Sequence, residues 1–170
     1  MSAACSTFAA MDDNGSELRD RLEIDDLLTR YATAIDTREW ALLDDVFSPD
    51  AVLDYRSAGG IRGSYQEVRT WLSEVLGLFT WTQHLVVNRA VTLDPEGATA
   101  KSKSVFHNPN QMIVKGEPWL FVVGGWYHDR MARLDDGWRI THRVEETLWW
   151  DHPMPGLPAE PYPVPDDAGI

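Results

Sequence analysis

Cysteine is nearly absent: Cys5 is the single thiol in 170 residues, which excludes an intrachain disulfide and a thiolate metal cluster. Basic side chains are scarce too. Fifteen Lys and Arg face 27 Asp and Glu, for a net charge of -12 that argues against nucleic acid and anionic membranes as partners. No stretch approaches the roughly 18 consecutive apolar residues of a membrane span. Residues 1–16 have neither the basic start nor the apolar core of a signal peptide, so the expected location is cytoplasmic. No phosphate loop, dinucleotide fingerprint or nucleophile elbow occurs; Gly59-Gly60-Ile61-Arg62-Gly63 has the wrong spacing and context. No His-x-x-x-His helix is present either, which leaves two histidines and a carboxylate gathered by the fold as the one route to a metal, and no metal site is expected.

What is present belongs to one globular domain. The chain is 44% apolar and 25% charged, and its 8 Trp, 5 Tyr and 5 Phe need burial. Two tails bracket the body: a flexible one over 1–16, and a second over 151–170 that holds six of the ten prolines and no Lys or Arg. The second is either disordered or an extended strap, with Leu157 and Tyr162 favouring the strap. Within 17–150, helices come first. Leu18, Leu22, Ile24, Leu27, Leu28, Tyr31 and Ile35 recur at three and four, predicting a helix over 17–35 with Ser16 as its cap. A short helix over 37–47 stops at Ser48-Pro49, a strand covers 51–56, and a third helix runs over 64–76 to Gly77. Four long strands follow, at 79–93, 98–114, 118–134 and 137–150, joined by Asp94-Pro95-Glu96-Gly97, Lys115-Gly116-Glu117-Pro118 and Asp135-Asp136-Gly137. Such short connections make antiparallel neighbours. The class is therefore α+β, with helices packed on one face of a strongly bent sheet that encloses a pocket.

Of five histidines, His84 and His107 lie mid-strand among apolar residues. By period two, His84 shares a face with Val86 and Asn88; a polar pair on an apolar face is either a hydrogen-bonded core pair or part of a pocket. His107 precedes Asn108-Pro109-Asn110, a bend or bulge. His128, His142 and His152 sit beside charged residues or in the tail and read as surface groups. Asp36-Thr37-Arg38-Glu39 fits a capping box for the second helix, and Asp36 could equally orient a histidine. Asp54 and Tyr55 alternate on their strand, so one of them faces inward, and Tyr55 is the better fit because a phenol packs while presenting a donor.

The strings Ile35-Asp36-Thr37-Arg38-Glu39-Trp40, Leu53-Asp54-Tyr55-Arg56-Ser57, Thr82-Gln83-His84 and Asp136-Gly137-Trp138, closing on Trp149-Trp150, resemble scytalone dehydratase. More broadly, the region 20–150 is similar to the SnoaL-like branch of the NTF2-like superfamily. The resemblance implies a cone of three helices on a curved antiparallel or mixed sheet. It also implies roles: His84 as the catalytic histidine, Asp36 as the carboxylate that holds it, and Tyr55 as one of two tyrosines that activate a water near the substrate carbonyl. Ile35 stands where the partner tyrosine belongs. His107 falls about two residues from the family's second histidine, and Gly125 and Tyr127 replace a serine and an asparagine that grip the family's substrate.

The reaction implied is lyase or isomerase chemistry without a cofactor, on a hydrophobic small molecule. Neutral His84 would take a proton next to a carbonyl, Asp36 would fix its tautomer, Tyr55 would polarise the oxygen and His107 could protonate a leaving hydroxyl. The expected pocket lies between the sheet and the first and third helices, lined by Tyr31, Ile35, Trp71, Leu72, Val86, Asn88 and Tyr127 around His84. Other readings stay open: a polyketide cyclase, a ketosteroid isomerase, an epoxide hydrolase, a ligand binder, or a structural subunit like the β chain of ring-hydroxylating dioxygenases. Strands 118–134 and 137–150 are apolar on both faces, which predicts self-association; the resemblance suggests a trimer, with a dimer next.

Overall fold

A computed structural model describes residues 3–169, with side chains from residue 15 onward. Helix α1 runs from Ala3 to Thr37 and is not confined to 17–35. Ala3, Ala4, Ala9 and Ala10 favour helix and no breaker precedes Gly15, so the tail expected over 1–16 is helical from Ala3 and Ser16 caps nothing. Residues 1–2 of that tail lie outside the described residues. Burial of the apolar stripe starts only at Ile24; Leu18 and Leu22 stay exposed, while Leu27, Leu28, Tyr31, Ala34 and Ile35 enter the core. The helix stops at Arg38, whose φ of 60° leaves the helical region. The second helix is a short 3-10 turn, Trp40–Asp45, with no side-chain cap.

Strand β1 then spans Phe47–Asp54, through Pro49, where its pairing is irregular. A 3-10 turn at Arg56–Ala58 and β2 (Arg62–Ser64) lead to α2, Tyr65–Leu76. Ser64 caps α2 in a full capping box with Glu67, and Tyr65, Val68, Leu72 and Leu76 form its buried face. The remaining strands are β3 (Phe79–Thr82), β4 (Leu85–Leu93), β5 (Thr99–Val114), β6 (Glu117–Leu134) and β7 (Gly137–Asp151). The strand predicted over 79–93 is thus two. Gln83-His84 separates them opposite Pro109, which has no N–H to offer and only accepts from the Gln83 N–H at 3.1 Å. No helix among the described residues is long and apolar enough to cross a membrane.

The seven strands form one mixed sheet in the order β2-β1-β7-β6-β5-β3, with β4 also on β5. All neighbours are antiparallel except β1 and β7, which are parallel. Two register shifts between β6 and β7, at Arg130/Met131 and Gly124/Gly125, each insert one residue in β7 and bend the sheet around α1 and α2. Residues 152–169 are the strap. The Tyr162 N–H donates to Ser57 O, Trp150 Nε1 donates to Ala159 O, and Asp167 receives Arg56 and Arg62.

Candidate active site

The concave face of the sheet, α1, α2 and the strap enclose a cavity of about 160 Å³. Its walls are mostly apolar, from Trp71, Leu72, Val75, Phe79, Phe121 and Leu157, and its polar groups converge from α1, the end of β1, the β3–β4 break, β5, β6 and β7. A roomier hollow of about 310 Å³ lies on the outer face among Lys101, Lys103 and Arg130, where solvated cations surround it.

His84 stands in the break between β3 and β4, where its backbone N–H has no ladder partner. The Asp36 carboxylate, at the last turn of α1, accepts that N–H at 2.8 Å and meets the ring Nδ1 at 2.7 Å. A carboxylate can only accept, so Nδ1 carries the proton and Nε2 keeps its lone pair. Asp36 therefore caps no helix: it bridges α1 to the His84 segment. Thr82 Oγ1 lies 3.4 Å from the same Nδ1 and donates to Asn110 Oδ1. Tyr31 crosses the imidazole edge-on, with ring centroids 6.2 Å apart.

Beside His84 lies a pair of phenols. Tyr31 and Tyr55 hydroxyls are 3.1 Å apart, and both are buried. Ile35 is fully buried in the core and does not line the cavity, so the second phenol comes from one helical turn earlier. β1 ends at Asp54, and there the alternation expected of Asp54 and Tyr55 ends too: both are buried, Asp54 against Arg56 at 2.6 Å. Tyr127 Oη accepts from Asn108 Nδ2 at 3.2 Å. Burial pushes all three tyrosines well above their ordinary pKa. Beneath them Arg143, fully buried, pairs with Asp129 at 2.7 and 2.8 Å and underlies the Tyr31 and Tyr127 rings. Burial works against its charge, but Asp129 outweighs that and holds the guanidinium above its usual value.

Glu145 is the remaining titratable group of the cavity. It is buried, opposes Tyr127 in the β6–β7 ladder, and accepts from Thr147 Oγ1 at 3.2 Å. Loss of water pushes its carboxyl up to about 7, against an ordinary 4.5, although the Thr147 hydrogen bond and the Arg143 charge pull the other way.

Besides Ile35, three expected site residues lie elsewhere. His107 is exposed on the outer face, its ring 5.7 Å from Trp149, because Phe106, Asn108 and Asn110 take the inward positions of β5. Asn108 and Asn110 line the cavity instead. Asn88 sits exposed at a β4 bulge with φ 48°, which breaks the alternation that placed it beside His84. Val86 is core but not cavity wall. Gly125 leaves no room for a side chain: a Cβ there would overlap the Glu146 carbonyl and touch Phe106. Sequence reasoning missed Glu145. Counting by two from Trp138 and Ile140 turns even-numbered residues inward, and the inserted Thr141 moves the inward set to Arg143, Glu145 and Thr147. The Gly124-Gly125 pair marks the other insertion, at Leu148, and not the one that turns Glu145 inward.

Comparison with known proteins follows the same lines. The family described as SnoaL-like domain matches residues 16–144. Rv2910c, an uncharacterized protein of Mycobacterium tuberculosis, is 46% identical over 131 residues, 76% of this chain and 86% of that one. Three solved structures share the fold. A protein of Novosphingobium aromaticivorans provisionally named a scytalone dehydratase superposes with TM-score 0.67 at 19% identity, covering 88% of this chain and 95% of that one. Hexachlorocyclohexane dehydrochlorinase LinA-type3 of Novosphingobium barchaimii gives 0.71 at 16%, covering 85% and 96%. An NTF2-like superfamily protein of Salmonella enterica gives 0.62 at 20%, covering 86% and 99%.

Proposed function

The chain belongs to the SnoaL-like domain family, with an NTF2-like fold, and from that premise we propose that it is a lyase or isomerase that removes a proton next to a carbonyl in a small apolar substrate. The observation that carries this is the double engagement of His84 by Asp36, at 2.8 and 2.7 Å, in the wall of a mostly apolar cavity. Nε2 is the base. Asp36 holds the ring in position and stabilises the imidazolium that forms. The Tyr31–Tyr55 pair donates to the oxygen as it gains charge. The dehydratase and dehydrochlorinase names among the fold's neighbours suit elimination, the commonest sequel to such a proton transfer.

The cavity's volume of about 160 Å³ suits a small ring, since a void of about 150 Å³ accommodates benzene. Cyclohexanone is therefore a suitable probe. In D₂O the protein should speed exchange of its α-protons, followed by NMR. His84→Asn should lower that rate by about 10²–10⁴-fold, the usual contribution of a positioned base. No exchange with the native protein, or equal exchange with His84→Asn, would remove the base from this reading.

We propose also that copies associate through the outer face of the sheet, as a trimer or dimer. Large apolar side chains are exposed there: Trp81 and Leu120 on either side of Gln111, Leu85 and Trp149 on the row of His107, and Val87 beside half-buried Val105.

A further inference from the structure

With His107 on the outer face, the cavity has a base but no histidine to act as acid. The titratable groups that line it are His84, Tyr31, Tyr55, Tyr127 and Glu145. The three phenols are poor proton donors, since burial makes each harder to ionise. His84 is committed to the opposite task. Glu145 is left, and its surroundings suit an acid. It is 6% exposed. Among the described residues, Thr147 is its only side-chain hydrogen-bond partner, through one oxygen. The other oxygen is free of any protein donor. Arg143, two residues away on the same inward row, gives Nε and Nη2 to Asp129; its charge still favours the Glu145 carboxylate, but loss of water outweighs it. The main chain of Glu145 is fixed as well, since Ser57 Oγ donates to its carbonyl at 2.5 Å and accepts the Thr147 N–H at 3.0 Å.

We infer that Glu145 is the acid that protonates a hydroxyl leaving group on the carbon β to the substrate carbonyl, so that the site eliminates water from a small β-hydroxy carbonyl compound. The inference rests on His84 as base. His84 Nε2 takes the α-proton, and the electron pair of that C–H bond forms the C=C bond. The C–O bond breaks, its electrons leave with oxygen, and the Glu145 proton joins them to give water. The substrate becomes an α,β-unsaturated carbonyl compound with no change in total redox state. The site is left with an imidazolium and a carboxylate, which return to the starting pair when the His84 proton passes through solvent to Glu145 as product leaves. Hydroxide needs that proton to depart, whereas halide does not. A buried carboxylic acid in the pocket therefore points to water as the leaving group.

The test uses two probes of one ring size. Cyclohexanone exchange reads the base alone; dehydration of 3-hydroxycyclohexanone, followed by the absorbance of the enone, reads base and acid together. The full chain should do both. Glu145→Gln keeps the shape, its folding is checked by circular dichroism, and its dehydration should fall by about 10²-fold or more beyond any change in exchange, the lower range for one acid group. His84→Asn should lose both. Exchange without dehydration in the native protein, or dehydration unchanged in Glu145→Gln, overturns the acid role and leaves the base standing. Absence of exchange in the native protein overturns the base and the inference with it.

Discussion

Asp36 commits one carboxylate oxygen to a backbone N–H and the other to an imidazole. An amide in its place can accept only once. In Asp36→Asn the amide NH₂ faces Nδ1 and donates to it, which moves the ring proton to Nε2 and removes the base. Cyclohexanone exchange should fall by about 10²-fold or more, and the ¹⁵N shifts of the His84 ring should report the exchanged tautomer; unchanged shifts would contradict the assignment. Glu145 supplies a stability test. Its carboxyl rises from 4.5 unfolded to about 7 folded, so folding favours the neutral form. Its contribution is complete below pH 4.5 and is lost as pH climbs through 7. The stability of the native protein relative to Glu145→Gln should thus fall by about 3 kcal/mol between pH 4 and 8, measured by urea unfolding. Arg143, Tyr31, Tyr55 and Tyr127 face the same group, but none of them titrates in that range. At this scale the sequence was legible for His84, Tyr55 and Trp71 as far as position goes, since all three line the cavity. It was not legible where geometry across elements decides, as with the second phenol from Tyr31 or the inward turn of Glu145.

The elements were easier to read than their joints. α2, the long strands and their turns follow from local chemistry and stand within a few residues of expectation, whereas the capping box expected at Asp36–Glu39 forms instead at Ser64–Glu67. The breaks were harder, because Pro109 acts on the neighbouring strand at Gln83-His84 and not on its own. The strap is an element of this second kind. Leu157 and Met154 from it close the cavity, and Leu157 rests on Gly59, whose φ is 81°. A Cβ at Gly59 would come within 2.7 Å of Leu157 Cδ2, in a backbone conformation that side chains avoid. Gly59→Ala should cost about 1–2 kcal/mol and loosen residues 152–165, read as faster proteolysis of the C-terminal segment. Substrate should slow that cleavage, because the same residues wall the pocket.

Across the whole molecule the charge of -12 and the apolar outer face oppose each other. Copies that meet through Leu85, Trp149 and their neighbours must bring like charges together. Salt screens that repulsion over a length that shrinks from about 30 Å at 0.01 M to about 8 Å at 0.15 M. Association should therefore tighten with ionic strength, giving a scattering mass above the 19.2 kDa of one chain. Trp149→Glu should return it to one chain, while the cavity, on the other face, keeps its activity. A mass of one chain at every salt concentration would contradict the association.

The two inserted residues of β7 also give this strand a reading frame. Thr141 and Leu148 are the extra residues, while Arg143, Glu145 and Thr147 between them pair in step with Asp129, Tyr127 and Gly125. Loss of Thr141 or Leu148 would restore a regular ladder and leave those three facing inward. Loss of Val144 or Glu146 would instead turn the residues on one side of the gap by half a pleat, exchanging a pocket carboxyl for a solvent-facing one. Length variation is thus tolerable at two marked places in this strand, and between them a single deletion does more damage than most substitutions.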